Sequence, residues 1–122
     1  MYCRLFQFDV RAERSEDFQR TALQYIDGWL REESGAIEFH LVRDDAYNYR
    51  YYLFERYADP DAHEAHARGV LMDRHGEHFA PLLLAPPLLL ARGFELAAPA
   101  RPADPSPSPD GAQAVASPHR RS

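Results

Sequence analysis

Hydrophobic and polar positions alternate along residues 2–10 (YCRLFQFDV), with Leu5 on one side and Phe6, Phe8 and Val10 on the other. A period of two marks a half-buried β-strand. The period then lengthens: Phe18, Ala22, Tyr25, Ile26, Trp29 and Leu30 recur at helical spacing. Ser15 ahead of them supplies an N-cap oxygen, and Glu16 and Asp17 place carboxylates at the positive end of the helix dipole. With Gly35 as a left-handed stop, a first helix over about 15–33 is predicted. Alternation returns at 36–43, with Ile37, Phe39 and Leu41 on one face and Glu38, His40 and Val42 on the other. Residues 48–57 (NYRYYLFERY) are dense in aromatics that favour strands, and the short polar link before them reads as an antiparallel hairpin. Asp59-Pro60 opens a second helix, with Asp as N-cap and Pro at the first helical position. This helix reaches about Arg68, breaks at Gly69, and resumes through Val70, Leu71, Met72, Phe79 and Leu82. Pro86-Pro87 stop it, and 88–96 form a last strand. The order β-α-β-β-α-β predicts an α+β, ferredoxin-like domain: a four-stranded antiparallel sheet with its helices on one face.

That arrangement has a consequence for assembly. In the third strand Tyr49, Tyr51 and Leu53 share one face, while Tyr52 and Phe54 share the other. Two helices cover only one face of the sheet, so the second aromatic face is left as an apolar patch of interface size. A homodimer packed sheet against sheet is expected.

Composition divides the chain. All 15 aromatic residues precede position 95, and six of the ten prolines fall in the last 25 residues. The folding unit is therefore expected over 1–97, with 98–122 a Pro/Ala/Ser-rich disordered tail. The chain carries a net charge of −5; three arginines against two aspartates make the tail +1, so the body is −6. Such a body is a poor electrostatic partner for nucleic acid or an anionic membrane. No apolar run approaches the roughly 18 residues of a membrane span. A lone Cys3 forms no internal disulfide, which fits a reducing, cytoplasmic compartment. All 14 basic residues are arginine, so lysine Schiff-base and P-loop chemistry are excluded. The body has only Ser15, Ser34, Thr21 and Asn48 as small hydroxyl or asparagine groups, and neither G-x-S-x-G nor G-x-G-x-x-G occurs. Any chemistry here rests on His, Tyr, Arg and carboxylates.

Five histidines (40, 63, 66, 75, 78) fall within 39 residues. His63/His66 and His75/His78 are each three apart on a helix, the spacing of a two-histidine clip. Glu64 and Glu77 face away from their flanking pairs, so no metal site is expected. His66 lies with Ala62 and Ala65 on the side facing the sheet, and an imidazole of near-neutral pKa suits removal of a phenolic or enolic proton. Glu55 is a carboxylate within an aromatic strand and needs a partner, with Arg50, Arg56 and His40 the candidates from the same hairpin. His66 and Glu55 are the expected catalytic groups. Tyr57, Tyr52, His63, Arg74 and His40 are expected to bind substrate, the tyrosines by stacking and Arg74 by neutralising an anion.

Residues 33–66 carry more than periodicity. E-S-G-A-I-E-F-H-L-V-R-D followed by R-Y-Y-L-F-E-R-Y-A-D-P-D-A-H-E-A-H resembles the antibiotic biosynthesis monooxygenase domain family, at Gly35, Phe39, Arg43, Asp44, Arg50, Glu55, Asp59, Ala62 and His66. The P-L-L-L-A-P-P stretch at 81–87 resembles the family's passage from last helix to last strand. The resemblance implies a dimeric α+β barrel. It also implies an activity among cofactor-independent oxygenation of quinols or polycyclic phenols, haem degradation, and isomerisation of a phosphorylated sugar. Leu53 and Tyr57 depart from the Asn and Trp of the anthrone-oxidising branch, and the first strand lacks the Asn of the haem-degrading branch. Tyr57 with Glu55 looks most like the isomerase branch and some quinol monooxygenases. The expectation is a cofactor-free monooxygenase acting on a quinol or polyphenolic ketone with dioxygen. The alternatives are an isomerase moving a proton alpha to a carbonyl on a small keto substrate, and a non-enzymatic module binding an aromatic metabolite.

Overall fold

The alternating segments pair as four antiparallel strands, β1 (Tyr2–Asp9), β2 (Ala36–Arg43), β3 (Arg50–Tyr57) and β4 (Leu88–Phe94), in the order β2-β3-β1-β4. Three α-helices, α1 (Ser15–Glu32), α2 (Pro60–Ala67) and α3 (Val70–Phe79), complete the ferredoxin-like α+β fold. This computed structural model describes residues 1–97 and 100–102, so the expected disordered tail lies almost wholly outside the described residues. Among the described residues no helix is long and apolar enough to cross a membrane.

β3 follows the expected alternation throughout. Tyr51, Leu53, Glu55 and Tyr57 are buried beneath the helices, while Arg50, Tyr52, Phe54 and Arg56 point to the open face. Phe18 of α1 packs on Tyr51 (ring centroids 4.8 Å apart) and edge-on to Phe79 of α3 (5.5 Å), tying both helices to the sheet. Burial of rings of this size dominates the stability of so small a core.

Three local expectations are corrected. Ile37 is 40% exposed, because a register shift between Ala36 and Glu38 puts Ala36 and Phe39, rather than Ile37, on the covered face. Ser15 does not cap α1: a short 3-10 turn over Ala12–Arg14 leads into the helix, and the Ser15 hydroxyl lies 2.6 Å from the Tyr51 hydroxyl. Gly35 has no positive φ; α1 ends in an extended Glu33. Gly35 is needed for close approach instead, since a Cβ there would overlap the Ala62 side chain of α2. Asp59 caps α2 as expected, its carboxylate accepting from the Ala62 N–H at 2.8 Å.

Candidate active site

Between the helices and the covered face of the sheet lies a cavity of about 420 Å³, walled by Phe6, Phe8, Trp29, Leu53 and Met72. Its polar groups are Arg4, Glu55, His63, His66 and His75. A second, apolar hollow of about 400 Å³ adjoins it, lined by Leu83, Leu84 and Pro86 and sharing His75, Gly76 and Pro87. A Cβ on Gly76, which lines both spaces, would meet nothing within 4 Å.

His66 is 4% exposed. Its Nδ1 lies 2.8 Å from Glu33 Oε1, and its ring stands edge-on to Trp29 at 4.7 Å. An ionised carboxylate only accepts hydrogen bonds, so Nδ1–H donates and Nε2 keeps the lone pair a base requires. Burial lowers the His66 pKa below that of free imidazole, against the opposing pull of Glu33. Burial thus favours the neutral, proton-accepting form of the ring. Burial likewise lowers His63, and lowers His75 to about 4.

Glu55, 5% exposed, accepts a hydrogen bond from the Tyr57 hydroxyl at 2.7 Å. Burial raises its pKa to about 7, the Tyr57 hydrogen bond and the Arg4 charge only partly opposing it. At neutral pH this carboxyl is poised between acid and conjugate base. Tyr57 has the opposite destiny: burial, with Glu55 beside it, raises its pKa and keeps the phenol protonated. Tyr57 also lies 5.2 Å, ring to ring, from both His63 and His66.

The structure therefore brings together His66, Glu55, Tyr57 and His63. It does not bring in the other three. Tyr52 lies on the open face and donates to Asp44 at 2.7 Å. His40 is on that face too, 2.8 Å from Glu38. Arg74 lines an outer groove with Thr21, Gln24 and His78. None of the proposed hairpin partners reaches Glu55: Arg50 is bound to Asp9 (2.8 Å), and Arg56 to Glu38 (2.6 Å) and Glu95 (2.8 Å). Residues 50 and 56 differ from 55 by odd and single steps, so strand alternation sends them to the opposite face. The two histidines of α3 also part company, His75 lining the cavity and His78 meeting the Tyr25 hydroxyl at 2.5 Å.

Three cavity groups, Arg4, Trp29 and His75, and the Glu33 carboxylate behind His66 carry no assignment from sequence. Arg4 had a readable signal, because alternation places it with Phe6 and Phe8 on the covered side of β1. Glu33 had none. Its contact with His66 depends on how α2 docks at Gly35.

A family model described as "Antibiotic biosynthesis monooxygenase" matches residues 1–79. The chain belongs to this family. Solved structures agree at the level of fold. "Putative antibiotic biosynthesis monooxygenase from Nitrosomonas europaea" superposes with a TM-score of 0.72 at 18% identity, covering 80% of this chain and 100% of its own. A protein of the same description from Caulobacter crescentus gives 0.74 at 18% identity, covering 79% and 90%. Among curated proteins none matches. Family-pattern positions fall into two groups here. Glu55 and His66 line the cavity and Gly35 and Ala62 seat α2 beside it, whereas Asp44 braces the hairpin and Arg50 ties β3 to Asp9 of β1. Asp44 accepts from the Ala46 and Tyr47 N–H groups as well as from Tyr52.

Proposed function

We propose that this member of the monooxygenase family oxidises a quinol or polyphenolic substrate with dioxygen and without a cofactor. The observation that carries the reading is a neutral imidazole, oriented by Glu33, sharing one aromatic-walled cavity with a carboxyl whose pKa is about 7. His66 Nε2 takes a proton from the bound substrate. The electron-rich anion passes one electron to dioxygen, and recombination of the pair forms the carbon–oxygen bond. His66 returns its proton to the resulting peroxide; loss of the second hydrogen from that carbon to the freed imidazole breaks the O–O bond, and the Glu55 carboxyl protonates the departing hydroxide to water. One oxygen atom stays on the substrate, the other leaves as water, and the substrate itself loses two hydrogens. Apolar walls keep bulk water from the anion, and the adjoining apolar hollow that shares His75, Gly76 and Pro87 offers room for a second ring. With ¹⁸O₂ in ordinary water, the product is expected to gain one labelled atom; label entering only from water overturns the reading.

The same acid–base pair supports a second reading, an isomerase moving a proton alpha to a carbonyl. Full turnover under nitrogen would select it.

We also propose a homodimer through the open face of the sheet. The helices leave β4 uncovered, with Leu88 54% and Leu90 43% exposed, and Val42 of β2 is 51% exposed. Sedimentation at micromolar concentration is expected to give twice the 14.0 kDa chain mass, and a monomer refutes the dimer.

A further inference from the structure

Two polar atoms buried at the cavity wall have no hydrogen-bond partner among the described residues: Arg4 Nε and Trp29 Nε1. Both belong to side chains that line the cavity, and Trp29 is 2% exposed. Buried donors are satisfied as a rule, and an indole N–H placed this deep ordinarily finds an acceptor. Arg4 lacks a counter-ion as well. No ion pair joins it to any described carboxylate, its register partner on β4 is Arg92, and Nη1 makes only a 3.3 Å hydrogen bond to the Tyr2 hydroxyl. Its guanidinium otherwise rests 5.3 Å from the Phe6 ring centroid. Glu55 is its register partner on β3 but bonds to Tyr57, and Glu33 is engaged by His66.

We propose that Arg4 and Trp29 form an oxyanion-binding site in this cavity, so that the ligand presents an anionic oxygen there. Both groups are donors only, which rules out a cation and calls for an acceptor. A guanidinium with no described carboxylate in ion-pair contact favours an acceptor carrying negative charge: a carboxylate, an enolate or a phenolate on an aromatic frame. The inference rests on this cavity being the ligand site, as the proposed function holds, and not on the oxygen chemistry. It gives Arg4 a direct role with substrate, stabilising the anion that His66 creates.

The test compares 2-naphthoate with its neutral isostere 2-naphthamide by calorimetric titration without turnover. The wild-type chain is expected to bind the anion at least ten-fold more tightly. Arg4→Met should abolish that preference by weakening naphthoate binding far more than 2-naphthamide binding, and Arg4→Lys should retain part of it. Trp29 is the only tryptophan, so its indole N–H gives one side-chain resonance, expected to move downfield as naphthoate binds. Equal affinity of the two probes, no measurable naphthoate binding, or a preference that survives in Arg4→Met overturns the site. A static indole resonance removes Trp29 from it. Product labelled only from water would refute the oxygenase reading and leave these titrations unaffected, so the two failures are distinguishable.

Discussion

Replacing His66 by glutamine is expected to lower kcat by roughly 10²–10⁴-fold, the usual weight of a positioned general base. Glutamine is similar in bulk and uncharged, so cavity shape is largely kept while the basic lone pair is lost. KM should change little, because the substrate's bulk meets the apolar walls rather than the imidazole. Unchanged thermal melting would show that the fold is intact. The wild-type pH profile carries a second signature. Burial lowers the His66 pKa, so the acid limb of the profile should lie below the range of free imidazole, while loss of the Glu55 proton should lower activity as pH rises above about 7. Activity of the glutamine variant within a few-fold of wild type would remove His66 from the reaction.

Glu55→Gln should change how stability responds to pH. The Glu55 pKa is raised on folding from 4.5 to about 7, so between those values the folded chain binds more protons than the unfolded one. Stability from this group is therefore complete below about 4.5 and is lost as pH rises through 7, a change of about 3 kcal/mol. His75 acts in the opposite sense. Its folded pKa, about 4 against 6.5 unfolded, adds stability as pH rises across that window. The two trends offset each other from about 4.5 to 6.5, and the Glu55 loss stands alone from there to about 7. Glutamine keeps an acceptor for the Tyr57 hydroxyl and carries no charge. The variant should match wild type below pH 4.5, exceed it by up to about 3 kcal/mol at pH 8, and show only the histidine-driven rise. Denaturant midpoints between pH 4 and 8 measure this; parallel curves for the two proteins would contradict a strongly raised Glu55 pKa. The stabilised variant should also turn over more slowly, having lost its proton donor.

Much of this was legible in the linear sequence because strands and helices obey short, rigid periods. β3 alternates over its full length, so the buried set Tyr51, Leu53, Glu55 and Tyr57 follows from parity alone. The same parity rule excludes Arg50 and Arg56 as partners of Glu55 and brings Arg4 inside. What escaped was what depends on a break in period or on docking. The bulge that turns Ile37 outward adds one residue to a strand without marking the sequence. The Ser15 hydroxyl finds Tyr51, 36 positions away, rather than its own helix. Glu33 meets a histidine 33 residues distant only because the turn after α1 receives α2.

Gly35 makes that turn into a fixed jaw. Ala62 is pinned from two directions, by the bare backbone of Gly35 and by the Asp59 cap, and Glu33 stands two residues before the same glycine. Carboxylate and imidazole are consequently anchored to one block and keep their spacing whatever the rest of the wall does. Gly69, the extended residue that opens α3, packs on the same block, since a Cβ there would lie 3.2 Å from Glu33 Oε2. Substrates of different size would therefore meet the proton-accepting pair at one spacing, and selection by size falls to the wall formed by Met72, His75 and Gly76.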